Sequence, residues 1–141
     1  MVFDHDRLDV YRAAIQFVKL ADDLLGQAQG RAYLADQLRR AATSIALNVA
    51  EGAGEFSPKD KARFYRMARR SATECAAVLD VLSELRLADE TPVRTGRELL
   101  RRIVSMLVKM TRGVEPDAGT STGTGTGTGT GTRRSGAAPA V

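Results

Sequence analysis

Hydrophobic residues recur every three or four positions along most of the chain, which is the spacing of one face of an α-helix. Four segments carry this pattern, at residues 7–25, 31–51, 58–87 and 92–112. The β-branched residues are scattered and never alternate with polar ones, so no strand is predicted. The pattern therefore predicts an all-α protein built from four helices.

The joints between these segments carry residues that are typical of helix ends. Side-chain oxygens before a helix accept hydrogen bonds from its first N–H groups, proline fits the first turn, and glycine suits the last. The predicted caps are Asp6 before the first helix with Asp9 in its first turn, Gly52-Ala53-Gly54 after the second, Ser57-Pro58 with Asp60 at the start of the third, and Thr91-Pro92 at the start of the fourth.

Apolar and cationic residues fall on opposite sides of the third helix. The predicted core seam comprises Phe64, Ala68, Ser71, Cys75, Val78, Leu82 and Leu85. Opposite it lie Lys59, Arg63, Arg66 and Arg70, a line about 16 Å long at ~1.5 Å per residue, which we name the cationic stripe. Such a stripe either neutralises the phosphates of a nucleic acid or forms a solvated face that only aids solubility.

The first and fourth helices each carry two apolar stripes. On the first helix these are Leu8, Tyr11, Ile15, Val18 and Leu25, and then Val10, Ala13, Phe17, Leu20 and Leu24; on the fourth they are Leu99, Ile103, Met106 and Met110, and then Leu100, Val104 and Val108. A single bundle buries one arc of each helix, so the second stripes predict self-association. A wide core face is the alternative. The residues assigned to this structural or interface role are Val10, Phe17, Leu100 and Val104.

The second helix turns apolar and small residues to one side. Its predicted core face comprises Leu34, Leu38, Ala41, Ile45, Val49 and Gly52. Asn48 flanks this face and Glu51 lies just beyond it. A polar group at a helix interface must be hydrogen-bonded and often fixes register, so Asn48 is predicted to be structural.

The length of 141 residues suits one domain. Residues 1–112 are predicted to form the bundle. Residues 113–141 are dominated by a Gly/Thr repeat that cannot bury enough apolar surface to fold, so they are predicted to be a disordered tail. No apolar run reaches the roughly 18–20 residues of a membrane span, and the single Cys75 cannot form an internal disulfide. We therefore expect a cytoplasmic protein without membrane contact.

Candidate catalytic and metal-binding residues are scarce. With one cysteine and one histidine, His5, a zinc site made of Cys and His is excluded by counting. The glycine-rich residues 52–55 lack the Gly-Lys-Ser/Thr of a phosphate-binding loop, and no Glu-x-x-His pair is present for a carboxylate-bridged metal centre. We therefore expect no enzymatic activity, no metal and no cofactor.

Positive charge is concentrated in the middle of the chain. Between residues 39 and 71, eight basic residues stand against three acidic ones, so the local net charge of +5 exceeds the +4 of the whole chain. Aromatic residues make up 5% and tryptophan is absent, which argues against a base-stacking platform. The charge predicts electrostatic contact with a phosphate backbone, although an acidic protein partner would satisfy the same stripe.

Three segments resemble a known family. Residues 37–52, QLRRAATSIALNVAEG, resemble the central motif of the four-helix-bundle proteins encoded in 23S ribosomal RNA intervening sequences. Relatives of these proteins include the accessory variability proteins of diversity-generating retroelements. Residues 8–11, LDVY, resemble the family's opening, and residues 63–74, RFYRMARRSATE, its third-helix block. The resemblance covers about residues 8–112, and the Gly/Thr tail is foreign to it.

The resemblance implies an antiparallel up-down four-helix bundle that assembles into a homo-oligomeric ring, commonly a pentamer. It also implies a basic surface associated with RNA or DNA or, in the retroelement branch, with a reverse transcriptase. On the matching positions, Asn48, Glu51 and Glu74 are read as struts of the bundle or its interfaces. The candidate phosphate-binding residues are Arg39, Arg40, Lys59, Arg63, Arg66, Arg70 and Arg101.

Two functions remain open at this point. The leading hypothesis is a non-enzymatic, oligomeric accessory protein that binds nucleic acid. The alternative is a purely structural or protein-docking bundle without affinity for nucleic acid.

Overall fold

The computed structural model describes residues 1–27 and 31–114. A short 3-10 turn, Asp4–Arg7, precedes four helices: α1 (Asp9–Gln27), α2 (Ala32–Gly54), α3 (Pro58–Glu84) and α4 (Glu90–Val114). No strand occurs within these residues, so the predicted all-α class with four helices is confirmed. Gly113 and Val114, assigned by the sequence to the tail, complete α4. The rest of that predicted tail lies outside the described residues.

Each helix runs antiparallel to the next and packs against two neighbours. Gly96 of α4 lies against Leu20 of α1, which closes the circle of four. Side-chain pairs mark the other three crossings: Asp22–Arg39 at 3.6 Å, Ser44–Ser71 at 2.8 Å, and Asp80–Arg97. The architecture is thus the antiparallel up-down four-helix bundle that the resemblance implied.

The core lies between the four helices and, among the described residues, contains only apolar side chains. Small residues allow the helices to approach closely. A Cβ atom at Gly96, for example, would lie 3.1 Å from the side chains of both Leu20 and Leu79. The largest fully buried side chains include Phe17, Leu38, Ile45, Leu79, Leu82, Leu100, Ile103 and Leu107.

The start of α1 differs from the prediction. The helix begins at Asp9, and Asp6 is not its N-cap. Asp6 instead belongs to the 3-10 turn, where its carboxylate accepts a hydrogen bond from the backbone N–H of Phe3 at 2.9 Å. The ring of His5 lies between those of Phe3 and Tyr11, with centroids 5.6 and 4.4 Å away. These ring contacts hold the turn against α1.

The end of α2 also differs, because the helix continues through Gly52-Ala53-Gly54. Gly52 is buried, and a Cβ atom there would lie 2.7 Å from Cε1 of Tyr65. The Nζ of Lys61 donates hydrogen bonds to the backbone carbonyls of Gly52 at 2.9 Å and Ala53 at 3.0 Å. This ammonium satisfies carbonyls that a helix end leaves open. Gly52 therefore serves packing here rather than a turn.

The start of α3 is confirmed. The Ser57 side chain accepts a hydrogen bond from the backbone N–H of Asp60 at 3.4 Å, and Pro58 is the first helical residue. The helix ends at Glu84, earlier than the predicted residue 87. The chain turns there because Arg86 adopts a positive φ of 55°, which no helix can continue through.

The start of α4 lies before the predicted one. The helix begins at Glu90, so Thr91 is not its N-cap but, together with Pro92, part of its first turn. Proline is tolerated there because the first N–H groups of a helix have no partner within it. The first backbone N–H of α4 that donates a helical hydrogen bond is that of Val93, which donates to the carbonyl of Asp89 at 3.3 Å.

The buried face of α3 is rotated from the predicted seam. Ala68, Cys75, Val78 and Leu82 are buried as predicted, but Phe64 and Ser71 are half-buried and Leu85 is exposed. The seam was misplaced because α3 packs against both α2 and α4, so its core face lies between them. The residues that complete this face are Ala62, Tyr65, Ala72 and Leu79.

Only one of the two α1 stripes stays on the outside. Val10 and Phe17 are core residues, so of the two roles assigned to them they have the structural one rather than that of an interface, and Leu25 from the opposite stripe is buried too. The remaining residues of that stripe are partly exposed, and Ile15 is 46% exposed. We name them the outer α1 stripe: Leu8, Tyr11, Ile15 and Val18.

The two predicted stripes of α4 form one wide core face. Leu100 and Ile103, taken from different stripes, are both buried, and Leu107 lies with them. Leu100 is therefore not an interface residue, and Val104 is half-buried at the edge of the core. For α4 the alternative of a wide core face is correct, because the helix packs on both α1 and α3.

Candidate nucleic-acid interface

The cationic stripe lies on the outer surface of α3. Lys59, Arg63 and Arg70 are exposed, and within the described residues none of them pairs with a carboxylate. Arg66 is half-buried and already contacts another group. Residues three and four apart share one side of a helix, so the four side chains project in similar directions. Three charges of the stripe are thus available to an external anion.

Phe64 helps to orient Arg63. The Cζ atom of the Arg63 guanidinium lies 5.0 Å from the centroid of the half-buried Phe64 ring, the geometry of a cation–π contact. A guanidinium carries its N–H donors around its edge, so a contact with a ring leaves donors for an anion. Arg63 is therefore held in place with its donors exposed.

The other predicted phosphate-binding arginines are engaged with carboxylates. Arg39 lies 3.6 Å from Asp22 across the α1–α2 crossing. Arg101 lies 3.5 Å from Glu98 within α4. All of these side chains are exposed, so each pair is weak and a phosphate could still compete. Their role in phosphate binding stays a prediction, and a phosphate would have to displace the carboxylate that each of them already contacts.

Arg40 lies in a groove of mixed charge. The groove has a volume of about 570 Å³ and runs between α2 and α3. Arg40 lies 3.8 Å from Asp36, and Glu74 lines the same groove. Two carboxylates beside one guanidinium make this a poorer place for a phosphate than the stripe.

The C-terminal half of α4 adds cations that the sequence did not place beside the stripe. Lys109 and Arg112 are exposed and form no ion pair in the described part of the chain. The Asp80–Arg97 pair marks the antiparallel register of α3 and α4. Counting along both helices from this pair brings Lys109 and Arg112 level with residues 65–68 of α3, within the span of the stripe. Only the tertiary register reveals this proximity.

Lys61 is a basic residue of this segment that the predicted phosphate-binding set does not include. Its ammonium lies on the two carbonyls at the end of α2 and 5.9 Å from the centroid of the Tyr65 ring. Lys61, two residues after Lys59, thus stabilises the end of α2. Helical periodicity places Lys61 about 200° around α3 from Lys59, off the cationic stripe, but it does not reveal which carbonyls the ammonium contacts.

The three predicted struts differ in what they contact. The Asn48 side-chain N–H donates to the Ser44 carbonyl at 2.9 Å and to the Ser44 hydroxyl at 3.0 Å, and that hydroxyl meets Ser71 of α3. Glu74 accepts a hydrogen bond from Gln37 at 3.2 Å. Both therefore lie at the α2–α3 crossing. Glu51 is exposed and has no side-chain partner within the described residues.

The groups with catalytic potential are not brought together. Cys75 is buried, and burial, with a smaller contribution from Glu74, raises the pKa of its thiol to about 12, so it stays protonated. In the described ranges, no three His, Cys, Asp or Glu side chains cluster in a way that could hold a metal ion. Nor does any helix in these ranges have the length and apolarity to cross a membrane.

The chain matches the model of the 23S rRNA-intervening sequence protein family over residues 6–109. It is also similar to the crystal structure of a protein with unknown function from the S23 ribosomal protein family of Bacteroides thetaiotaomicron VPI-5482, with a TM-score of 0.65 and 20% sequence identity. That similarity covers 73% of this chain and 98% of the other, and at this identity it shows the shared fold alone. No curated protein sequence matches the chain. Because the family model spans most of the bundle, the chain belongs to the 23S rRNA-intervening sequence protein family.

Proposed function

We propose that this protein is a non-enzymatic, oligomeric bundle of the cytoplasm that binds the phosphate backbone of RNA or DNA. The observation that carries the proposal is the row of exposed cations without carboxylate partners on α3: Lys59, Arg63 and Arg70. Surface cations with a nearby carboxylate are partly neutralised, whereas these three keep their full charge for an external anion.

The grouping of unpaired cations supports this surface. Several basic residues elsewhere are matched to carboxylates, as Arg12 is to Asp9 at 2.7 Å and Lys19 to Asp23 at 3.0 Å, although others, such as Arg7 and Arg86, form no ion pair within the described residues. On α3, Lys59, Arg63 and Arg70 form no ion pair within the described residues, and neither do Lys109 and Arg112 on the adjacent C-terminal half of α4. Helices pack about 8–10 Å apart, so the two rows would form one broad cationic surface.

The kind of contact follows from the chemistry of this surface. Duplex nucleic acid carries one phosphate charge per roughly 1.7 Å of axis, so a stripe about 16 Å long meets several phosphates. Contacts to phosphates carry no direct sequence information. Binding is therefore expected to be weak in sequence preference and strongly dependent on salt. A reverse transcriptase with its bound nucleic acid is the protein partner that the retroelement branch of the resemblance implies.

The test compares two triple variants with equal changes in net charge. In the first, Lys59, Arg63 and Arg70 are changed to Glu; in the control, the ion-paired Arg12, Lys19 and Arg94 are changed to Glu. Binding of labelled RNA and DNA oligonucleotides is measured by fluorescence anisotropy, and helix content by circular dichroism.

We expect the wild type to lose roughly 10- to 1000-fold in affinity between 50 and 200 mM salt, as for three to five phosphate contacts. The stripe variant should lose binding at 50 mM salt with its helix content unchanged, whereas the control should retain most of it. Equal losses in both variants would assign binding to net charge alone. Absence of binding by the wild type at low salt would favour the structural or protein-docking alternative.

A further inference from the structure

Phe56 is a fully exposed aromatic residue in the short connection between α2 and α3. Its relative exposure is 101%, whereas its neighbours Glu55 and Ser57 are half-buried. The backbone on either side is fixed, since Glu55 follows the last turn of α2 and Ser57 caps α3. The ring therefore projects from a held loop without any contact that would bury it.

The position of Phe56 relates it to the cationic stripe. It precedes Lys59, the first residue of the stripe, by three positions. From Glu55 to Arg70 the chain carries six basic and two acidic residues, a local net charge of +4. The other strongly exposed aromatic side chains of the described residues, Phe3 and Tyr33, belong to the N-terminal turn and to the mixed-charge groove.

An aromatic ring next to unmatched cations has the chemistry to bind a nucleotide. The cations attract the phosphates, and the ring offers a face on which an unstacked base can stack. Lys59 and Arg63 are separated by about 6 Å along the helix at ~1.5 Å per residue, so they would hold the backbone that leads away from the ring. A continuous duplex presents no free base face, whereas an unpaired base does.

We propose that Phe56 is a base-stacking residue at the end of the cationic stripe, a single ring rather than the platform of several aromatic residues that the composition argues against. The ligand of this site is then a nucleic-acid strand with at least one unpaired base beside the phosphates that the stripe holds. This inference rests on the proposed function and names the class of nucleic acid that the same surface takes.

The experiment uses the full chain and two oligonucleotides of equal charge: a 12-nucleotide oligo(dT), and the same backbone with abasic sites throughout. Binding of both is measured for the wild type, for Phe56→Ala and for the matched control Tyr33→Ala. A fourth variant, Phe56→Trp, supplies a local signal, because the chain contains no other tryptophan. Its fluorescence is recorded with each oligonucleotide.

We expect Phe56→Ala to weaken oligo(dT) binding about 5- to 150-fold, the equivalent of about 1–3 kcal/mol, and to leave abasic binding unchanged. Tyr33→Ala should match the wild type. The indole introduced at position 56 should be quenched by oligo(dT) and not by the abasic strand.

Two results would overturn the inference and leave the proposed function intact. One is equal binding of both oligonucleotides by the wild type and Phe56→Ala. The other is a change of sedimentation coefficient in Phe56→Ala without nucleic acid, which would assign the ring to a protein contact. If the wild type binds neither oligonucleotide, nor a duplex of the same length, the proposed function and the inference both fail.

Discussion

Two glycines of α2, Gly52 and Gly54, differ in what surrounds them. A Cβ atom at Gly52 would lie 2.7 Å from Cε1 of the buried Tyr65 and 3.1 Å from Cβ of Phe64, whereas a Cβ atom at Gly54 would meet nothing within 4 Å. Gly52 thus sets how closely α3 approaches α2. Gly54 lies in the last turn of the helix without such a contact.

We expect Gly52→Ala to lower the free energy of unfolding by up to about 2 kcal/mol. Overpacking against a buried ring costs about 1–3 kcal/mol, and the better helix propensity of alanine offsets about 1 kcal/mol of it. The matched Gly54→Ala should raise the free energy of unfolding by up to about 1 kcal/mol, because only the propensity changes. Urea denaturation followed by circular dichroism measures both. Equal effects of the two substitutions would contradict the packing role.

Cys75 makes stability depend on pH in the alkaline range. Burial raises the pKa of its thiol from 9.0 to about 12 in the fold, and the unfolded chain keeps the ordinary value. The stability that this difference in pKa contributes is fully present below pH 9. It is lost as pH rises from about 9 towards 12, because the unfolded state then binds fewer protons than the folded one.

The free energy of unfolding of the wild type should therefore fall above pH 9 faster than that of Cys75→Ala. The extra slope has an upper limit of about 1.4 kcal/mol per pH unit. Urea titrations of both proteins at several alkaline pH values measure this difference. Parallel pH profiles for the two would show that the thiol ionises without opening the core.

At the scale of elements, the turn after α3 shows how a helix ends without glycine. The N–H of Arg86 donates to the Ser83 carbonyl at 3.0 Å, and that of Leu87 to the Leu82 carbonyl at 2.9 Å. Many helices end with this pair of hydrogen bonds. The donor of the first bond then has a left-handed backbone conformation and is usually glycine. Here Arg86 occupies that position with φ 55°, a conformation that is strained for a residue with a Cβ atom.

We expect Arg86→Gly to raise the free energy of unfolding by up to about 1 kcal/mol, since glycine adopts this conformation without the steric cost. The control Arg69→Gly, at an exposed position inside α3, should lower it by about 1 kcal/mol. Thermal denaturation of both variants gives the comparison. A loss of stability in Arg86→Gly would mean that the arginine side chain contributes more than its backbone strain removes.

At the scale of the whole molecule, the bundle leaves an apolar surface as well as a cationic one. The outer α1 stripe runs beside α2. Ile15 is the most exposed residue of the stripe. A subunit contact through this stripe would bury it on the side of the bundle away from α3, because α1 and α3 are not neighbours. The cationic stripe would then stay available in an oligomer.

We expect Ile15→Glu to reduce the assembly state at micromolar concentration, because a buried carboxylate without a partner opposes association. Gln16→Glu, the next residue on the same helix, adds a similar charge but points about 100° away, so it should associate like the wild type. Sedimentation velocity at several concentrations distinguishes the two. A wild type that sediments as a monomer would remove the oligomer from the proposal, including the ring of five that the resemblance implies.

Much of the fold was predictable because the residues that begin a helix and the spacing of its apolar positions are local features of the sequence. The Ser57-Pro58 start of α3 and the number of helices follow from side chains within one or two turns. The core faces were harder. Val10 and Phe17 looked as suitable for an interface as Ile15 did, because periodicity separates the sides of a helix without saying which side a neighbour covers.

The sequence by itself determined the helices, the apolar stripes on them and the linear order of the cations on α3, since each depends on contacts between residues close in the chain. Only the tertiary structure decided which cations are available. Lys61 caps α2, Arg39 meets Asp22, and Lys109 comes level with the cationic stripe. These outcomes depend on the register between antiparallel helices, which joins residues far apart in the chain and leaves no periodic mark in either segment.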